Sequence, residues 1–186
     1  MKGEARKPPV YTIGHSTRRI DEFVRLLQAA DVALVIDVRS IRGSRTNPQY
    51  NAETLPESLA EFGIGYAPIS ELGGRRSRQK SVPAEVNAYW QNRSFHNYAD
   101  FAMSAEFAIG LQRLLKLSAD AVCAVMCAEA VWWRCHRSLI ADYLKALGVT
   151  VTHILGEEKS EAHPYTSAAQ IVNGKLSYRG ILERRE

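Results

Sequence analysis

The sequence predicts an α/β fold: a three-layer sandwich with a mostly parallel sheet of about five strands and a small C-terminal β-hairpin. Short apolar runs with almost no charge, typical of strands buried on both faces, alternate with longer segments of helical periodicity. A strand, a helix and a second strand in succession form a parallel pair with a right-handed crossover. We therefore expect helices on both faces of one sheet.

The first half of the chain begins with one such strand–helix–strand unit. Val10–Gly14 is the first predicted strand, and Ser16 or Thr17 is expected to cap a helix whose apolar face includes Ile20 and Leu27. Residues 33–38 form the second strand. The other predicted elements are a polar loop at 40–51, helices at 54–62, 83–90 and 102–117, strands at 65–69 and 149–155, and a hairpin at 170–178 with an Asn173-Gly174 turn.

Residues 121–147 are the stretch around which the predicted site is built. Residues 121–128 read as a buried strand, and the helix after them has an apolar face of Leu139, Ile140, Tyr143, Leu144 and Leu147. His136 lies at the first turn of that helix, on the side of its apolar face. Ligands of open α/β sheets bind outside the carboxyl ends of strands. We expect five side chains to converge there: Cys127, Glu129, Cys135, His136 and Arg137.

Composition sets broad limits. The 186 residues predict one domain over 10–186, preceded by a charged, proline-rich and disordered tail at 1–9. The net charge of +4 is mildly basic and permits an anionic partner without requiring one. Three cysteines, an odd number with no signal peptide ahead of them, predict a cytoplasmic protein without disulfides. The apolar runs are too short for a membrane span.

The motifs of the chain resemble those of the domain of unknown function 488 family. They are Thr12-Ile13-Gly14-His15-Ser16, Ile36-Asp37-Val38-Arg39-Ser40, Leu72-Gly73-Gly74, Tyr98-Ala99-Asp100-Phe101, Met126-Cys127-Ala128-Glu129 and Cys135-His136-Arg137. The resemblance implies an intracellular single domain and makes the motif residues candidates for its site. Two positions depart from the family pattern, which usually has proline where this chain has Arg42 and often where it has Trp132.

Cys127 is the candidate nucleophile, because a thiol beside a helix N-terminus and a cationic side chain has a lowered pKa. Its alternative is a small apolar residue of the buried strand. A zinc site of Cys127, Cys135 and His136, with His15 from the first strand, is a further alternative. The Cys-x₇-Cys-His spacing matches none of the usual metal motifs, so the sequence favours a structural Cys135, a hydrogen-bonded His136 and no metal.

Two carboxylates and two arginines complete the predicted site. Asp37 and Glu129 would be paired if their strands are neighbours, and one of them would act as a base or orient His15 or His136. Arg39 and Arg137 are expected to hold a phosphate or carboxylate, with Ser16 and Cys135 beside them. The alternative is that these charges only satisfy one another.

The sequence supports two functional hypotheses. The first is an enzyme that acts on a phosphate-bearing or otherwise anionic substrate, such as a nucleotide or nucleic acid. The second is a non-catalytic nucleic-acid-binding module, because basic residues supply phosphate affinity and exposed aromatics stack bases. Its candidate contacts are Arg42, Arg45, Arg75, Arg76, Trp132 and Trp133. The sequence does not tell whether a cofactor is bound or what the oligomeric state is.

Overall fold

Strands and helices alternate along the computed structural model, which describes residues 7–172 and 175–180. The strands are β1 (Val10–Gly14), β2 (Leu34–Asp37), β3 (Gly65–Pro68), β4 (Cys123–Cys127), β5 (Val151–Gly156), β6 (Lys159–Ala162), β7 (Ala169–Val172) and β8 (Lys175–Tyr178). The α-helices are α1 (Ile20–Ala29), α2 (Leu55–Ala60), α3 (Arg93–Phe101), α4 (Ala105–Asp120) and α5 (Arg137–Ala146). Residues 1–6 of the predicted tail, and Asn173 and Gly174 of the predicted turn, lie outside the described residues.

Six strands form the main sheet in the order β3-β2-β4-β1-β5-β6, and β7 and β8 form a separate antiparallel pair. The first five strands of that order are parallel, whereas β6 runs antiparallel to β5. The predicted α/β fold, mostly parallel sheet and C-terminal hairpin are therefore confirmed. The sixth strand was not predicted, because its sequence, KSEA, is exposed and carries no apolar alternation.

Helices cover both faces of the sheet, as expected for three layers. On one face α1 and α2 bury Phe23, Leu27, Leu55 and Leu59 against the strands. On the other face α4 and α5 pack together with the hairpin, and the buried side chains there are Phe107, Leu114, Leu139, Leu144, Leu176 and Tyr178. Because β4 lies between β1 and β2, the carboxyl ends of these three strands meet at one edge of the sheet.

The segment at 83–90 is a series of turns and not the predicted helix. Its polar groups bond the hairpin strand β8 instead: the side-chain oxygen of Asn87 accepts from Tyr178 N at 3.1 Å, and Tyr89 N donates to Tyr178 O at 3.1 Å. The helix lies later, at α3, which the sequence analysis missed. Asn92 caps α3 by accepting a hydrogen bond from Ser94 N at 2.9 Å.

Two details of the other helices also differ from expectation. Ser16 and Thr17 do not cap α1, whose N-cap residue is Arg19 and has no side-chain cap. Ser16 has a φ of 51° and belongs to a turn in which Arg18 N bonds His15 O. Leu147 ends α5 and is 42% exposed, so it does not belong to the buried face. Among the described residues, no helix is both long and apolar enough to cross a membrane.

A buried chain of hydrogen bonds joins the sheet to α5 and the hairpin. Thr12 Oγ1 lies 2.6 Å from His153 Nδ1, His153 Nε2 lies 2.9 Å from His163 Nδ1, and His163 Nε2 lies 2.9 Å from Asp142 Oδ1. The Tyr178 hydroxyl donates to the same carboxylate at 3.0 Å. With neutral rings, each donor in this chain meets one acceptor, from the Thr12 hydroxyl to Asp142. The buried imidazoles are thus satisfied without a charge of their own.

We expect this histidine chain to make the fold sensitive to acid. Burial, with smaller effects of His163 and Arg137, lowers the pKa of His153 from 6.5 to about 3. Between pH 6.5 and 3, His153 is therefore protonated in the unfolded chain but neutral in the folded protein. The free energy of unfolding consequently falls as the pH drops through this range. One such group contributes at most about 1.4 kcal/mol per pH unit.

Denaturant unfolding at several pH values tests this expectation. His153→Phe keeps a ring beside Trp132, but it leaves the Thr12 hydroxyl and His163 Nδ1 unpaired. It should lower stability at neutral pH by roughly 1–3 kcal/mol per unpaired group and flatten the acid slope. His96→Gln, which removes a partly exposed histidine, is the control. An unchanged slope in His153→Phe would contradict the assignment.

Candidate functional site

An open cleft of ≈ 510 Å³ lies where the carboxyl ends of β1, β2 and β4 meet. We call it the site cleft. It contains residues from the loops after these strands, from the segment after the 3-10 helix Ser70–Leu72, and from the start of α3. Its lining includes His15, Arg39, Ser40, Gly74, Arg75, Phe95, Tyr98, Cys127, Glu129, Arg134, Cys135 and His136. The sequence prediction of a site at this edge therefore coincides with a real cavity.

Cys127, Cys135 and His136 form a compact group on the cleft wall, which we call the thiol–imidazole group. His136 Nδ1 lies 3.6 Å from Cys135 Sγ and 4.0 Å from Cys127 Sγ, and all three atoms lie within 4.8 Å of one another. His136 Nε2 lies 3.0 Å from the Val38 carbonyl oxygen, which can only accept. In the neutral ring, Nε2 therefore carries the proton, and the lone pair of Nδ1 faces the two thiols.

The two thiols differ in their readiness to ionise. The neighbouring Cys135 sulfur and burial raise the pKa of Cys127 well above its ordinary value. Burial also acts to raise the pKa of Cys135, but interactions with Cys127, His136 and Arg137 outweigh it and hold that pKa well below the ordinary value. Arg137 Nε donates directly to Cys135 Sγ at 3.3 Å. The electrostatics thus favour a thiolate on Cys135, whereas the sequence analysis had named Cys127 as the nucleophile.

Gly74 packs closely against one side of the His136 imidazole ring. A Cβ at Gly74 would lie 2.5 Å from His136 Nδ1 and 2.8 Å from Cε1, so this position has space only for glycine. Tyr98 packs edge-on against the imidazole with ring centroids 5.0 Å apart, and its hydroxyl donates to Leu72 O. Gly74 of the Leu72-Gly73-Gly74 motif, which the family resemblance made a candidate for the site, thus lies on the cleft wall against His136.

Arg137 is buried and does not line the site cleft. Besides its bond to Cys135, its guanidinium donates to the Glu129 carbonyl and so ties the start of α5 to the loop after β4. Gly14, at the end of β1, packs directly on the same Glu129 carbonyl, where a Cβ would clash. The geometry makes Arg137 a residue that positions the loop and the thiolate, and does not present it to an external anion.

Asp37 and Arg39 form a buried ion pair at the end of β2. Arg39 Nη2 and Nε donate to the Asp37 carboxylate at 2.7 and 3.0 Å, and the Tyr66 hydroxyl donates to it at 2.6 Å. Arg39 N donates as well, at 3.0 Å. Both oxygens of Asp37 are therefore occupied, and the carboxylate does not reach the cleft. Asp37 was predicted as a possible base, but neither of its carboxylate oxygens is free to accept a proton from a substrate.

His15 lines the cleft, but both of its ring nitrogens are used. Nδ1 lies 2.8 Å from Ser16 O, and Arg39 Nη1 lies 3.3 Å from Nε2. Its ring stacks on Tyr50 with centroids 4.0 Å apart. Burial, with a smaller effect of the Arg39 charge, lowers the pKa of His15 to about 4. In the neutral ring the lone pair of Nε2 faces Arg39. This nitrogen is therefore not available to a ligand in the cleft.

The predicted pair of carboxylates does not form. The strands of Asp37 and Glu129 are neighbours, as the prediction required, but Asp37 is buried whereas Glu129 is exposed on the cleft wall. Glu129 Oε1 accepts from Ala130 N at 3.1 Å. The two residues differ because Glu129 lies two positions past the end of β4, where the chain has already turned outward. Ser16 lies outside the cleft lining.

Three of the predicted nucleic-acid contacts, Arg42, Arg76 and Trp132, are partly buried in the protein. Arg76 donates to Gly73 O, Ser70 O and the Glu106 carboxylate and stacks on Phe101. Trp132 donates from Nε1 to Glu161 and stacks on His153 with ring centroids 4.3 Å apart. Arg42 lies partly buried with Nε 3.8 Å from Asp37 Oδ2. Arg76 and Trp132 thus hold loops in place and offer little to an external ligand. Arg42 differs, because its buried Nε and Nη2 make no hydrogen bond with the described residues.

The other basic and aromatic candidates remain at the surface. Arg45 and Arg75 are exposed, and Trp133 is 52% exposed, as expected if only one of two adjacent tryptophans points inward. Arg134, which sequence analysis did not select, is also exposed and lines the cleft beside Cys135. The sequence signal that could have identified Arg134 is its position directly before the Cys135-His136-Arg137 motif. Of these four, Arg75 and Arg134 lie on the cleft.

We expect Gly74→Ala to displace the His136 ring and to leave the fold intact. The added methyl overlaps the imidazole, and overpacking of this kind typically costs about 1–3 kcal/mol. Imidazole nitrogen NMR and thermal unfolding measure the two effects. Gly43→Ala is the matched control, because Gly43 lines the same cleft and has nothing within 4 Å of its added Cβ. Unchanged His136 signals in Gly74→Ala would contradict the close contact.

Comparison with known proteins gives one match. The family model described as domain of unknown function DUF488 matches residues 19–144, more than half of the chain. The matched segment contains Asp37, Arg39, Gly74, Cys127 and His136, whereas the Thr12–Ser16 motif precedes it. No curated protein and no solved structure matches the chain significantly. The chain belongs to the DUF488 family.

Proposed function

We propose that the protein is an enzyme that acts on a phosphate-bearing or otherwise anionic substrate, such as a nucleotide or nucleic acid, in the site cleft. The observation that carries this proposal is the thiol–imidazole group on the wall of an open cleft that also presents exposed arginines. A structural role alone would not require two thiols and an imidazole lone pair to face a cavity. The cleft volume of ≈ 510 Å³ lies in the usual range for small-molecule sites.

Arg75 and Arg134 are the groups that support an anionic substrate. Both side chains are exposed on the cleft, and neither makes a hydrogen bond or an ion pair with another described residue. Their guanidinium groups can fork around phosphate or carboxylate oxygens. Arg39 also lines the cleft, but Asp37 neutralises it. Glu129 is the carboxylate among the lining residues, so cationic side chains outnumber anionic ones there.

The thiol–imidazole group supplies the chemistry. His136 Nδ1 can accept a proton within the group, because the Val38 carbonyl holds the ring with Nε2 protonated and Nδ1 free. An anionic substrate that enters the cleft would lie against the same atoms, because all three residues of the group line it. Arg137 positions Cys135 by donating to its sulfur. Asp37 and His15 are bonded to other groups of the protein and do not act on the substrate directly.

A screen of phosphate esters, nucleotides and oligonucleotides for turnover tests the proposal. Cys135→Ser removes the favoured thiolate and His136→Gln removes the proton acceptor. Each should lower kcat by at least about 100-fold, the lower range for loss of a proton-transfer group, and should leave anion affinity largely intact. Turnover that survives both substitutions, or no turnover of any anionic substrate by the folded wild type, would refute the assignment.

The arginines can be tested separately through KM. Arg75→Ala and Arg134→Ala should each raise KM for the anion by about 10–100-fold, because each removes a hydrogen bond to a charge worth roughly 1.5–3 kcal/mol. Arg78→Ala is the matched control: it is exposed in the same basic segment but does not line the site cleft. Equal effects of all three substitutions would indicate general electrostatics and no specific anion contact.

Exposed Trp133 keeps the nucleic-acid-binding alternative open to test. Its indole is 52% exposed and lies next to Arg134 in the chain, and base stacking on such a ring is worth about 1–3 kcal/mol. A non-catalytic binder would lose single-strand affinity in Trp133→Ala, show a steep salt dependence, and turn over no substrate. An enzyme specific for small molecules would show none of this loss.

A further inference from the structure

We propose that Cys127, Cys135 and His136 bind a thiophilic divalent metal ion, with zinc as the first choice, and leave a fourth coordination position open to the site cleft. The sequence spacing of these residues favoured no metal. The fold changes that assessment, because it brings one residue from the end of β4 and two from the start of α5 to a common point. The metal site does not depend on the identity of the proposed substrate. A bound ion would occupy His136 Nδ1, so in the metal-bound protein the ion would replace that nitrogen's role as proton acceptor.

The distances among the three ligand atoms fit a tetrahedral ion. Zinc bonds of about 2.3 Å to sulfur and about 2.0–2.1 Å to nitrogen place two ligand atoms roughly 3.6 Å apart for a sulfur–nitrogen pair and roughly 3.8 Å for two sulfurs. His136 Nδ1 lies 3.6 Å from Cys135 Sγ and 4.0 Å from Cys127 Sγ, and no pair exceeds 4.8 Å. Small inward shifts of Cys127 therefore suffice to close the site.

The proposed ligands His136 and Cys135 make hydrogen bonds of the kind that orient the ligands of metal sites. A ligating histidine typically donates its other ring N–H to a carboxylate or a backbone carbonyl, which fixes the tautomer and the ring orientation. His136 does this with Val38 O at 3.0 Å and turns Nδ1 toward both sulfurs. Arg137 Nε donates to Cys135 Sγ at 3.3 Å and so stabilises the sulfur as a thiolate ligand. Gly74 and Tyr98 restrict the ring further.

The fourth position faces the cleft because all three ligands line it. His15, the fourth ligand considered from the sequence, cannot serve, since Ser16 O and Arg39 occupy its two ring nitrogens. Three protein ligands with one open position are typical of catalytic zinc sites, whereas structural sites are closed by four. An ion here would offer a substrate oxygen a Lewis acid in the cleft that the exposed Arg75 and Arg134 also line.

The ligand set also restricts which ion fits. Two thiolates and one imidazole suit zinc and its spectroscopic substitute cobalt, whereas magnesium and calcium prefer oxygen ligands. Two thiolates balance the charge of a divalent ion, so the site tolerates Arg137 beside it. We therefore expect Co²⁺ and Zn²⁺ to compete for one site and Mg²⁺ not to displace them.

Titration of chelator-treated, reduced protein with Co²⁺ tests the site directly. The wild type should bind one equivalent with the near-ultraviolet charge-transfer absorption of cobalt–thiolate bonds, and Zn²⁺ should abolish that absorption. Cys127→Ser, Cys135→Ser and His136→Gln should each weaken binding by more than the ~10–100-fold that loss of an outer-shell partner costs. Cys123→Ser is the matched control, because its buried thiol lies at the other end of β4 and donates to Ala121 O.

No stoichiometric Co²⁺ in the wild type, or equal loss in Cys123→Ser, would overturn the proposal. If the ligand variants fail to fold by circular dichroism, alkylation of the wild type decides: Zn²⁺ should protect Cys127 and Cys135, and unchanged labelling overturns the site. The two proposals fail separately. Metal binding without turnover of any anionic substrate refutes the enzyme, whereas turnover by protein that binds no Co²⁺ or Zn²⁺ refutes the metal site.

Discussion

The buried Asp37–Arg39 ion pair is the constraint on which the cleft edge of the sheet depends. Both side chains are at most 5% exposed, and breaking such a pair is strongly destabilising because one charge is left unpaired. Arg39 also donates to Tyr50 O and contacts His15, while Asp37 accepts from Tyr66. One ion pair thus ties β2 to the loop before Tyr50, to the end of β1 and to β3. Asp37 and Arg39, which the sequence predicted to bind or act on a substrate, thus stabilise the structure around the cleft.

A second polar network supports the other side of the cleft. The Thr12–His153–His163–Asp142 chain lies beneath Trp132, whose ring stacks on His153 and whose carbonyl accepts from Cys135 N at 3.1 Å. Because the network is fully paired, it can stay buried without destabilising the core. The loop that presents Cys135 is therefore held against this satisfied network through Trp132, whereas the lone pair of His136 Nδ1 stays directed at the two thiols.

The chemical capacity of the thiol–imidazole group depends on how close its three residues lie to one another. An isolated thiol in a buried strand is an apolar residue, and an isolated imidazole at a helix start is a hydrogen-bonding group. Two thiols and an oriented imidazole within 4.8 Å of one another form a group that can transfer protons or hold an ion. The exposed arginines on the same cleft explain why the substrate we propose is anionic.

Local sequence patterns determined the α/β class, the parallel core strands, the hairpin and the edge of the sheet at which the cleft lies, because apolar periodicity reports burial directly. They did not determine β6, the turns at 83–90 or α3, where exposed polar residues and contacts with the hairpin decide the structure. Only the tertiary structure separated Asp37, Arg39 and Arg137, which are bonded within the protein, from Arg75 and Arg134, whose side chains are exposed on the cleft. It alone joined Cys127, Cys135 and His136 at one point, since side-chain partners depend on distances between strands that no local pattern encodes.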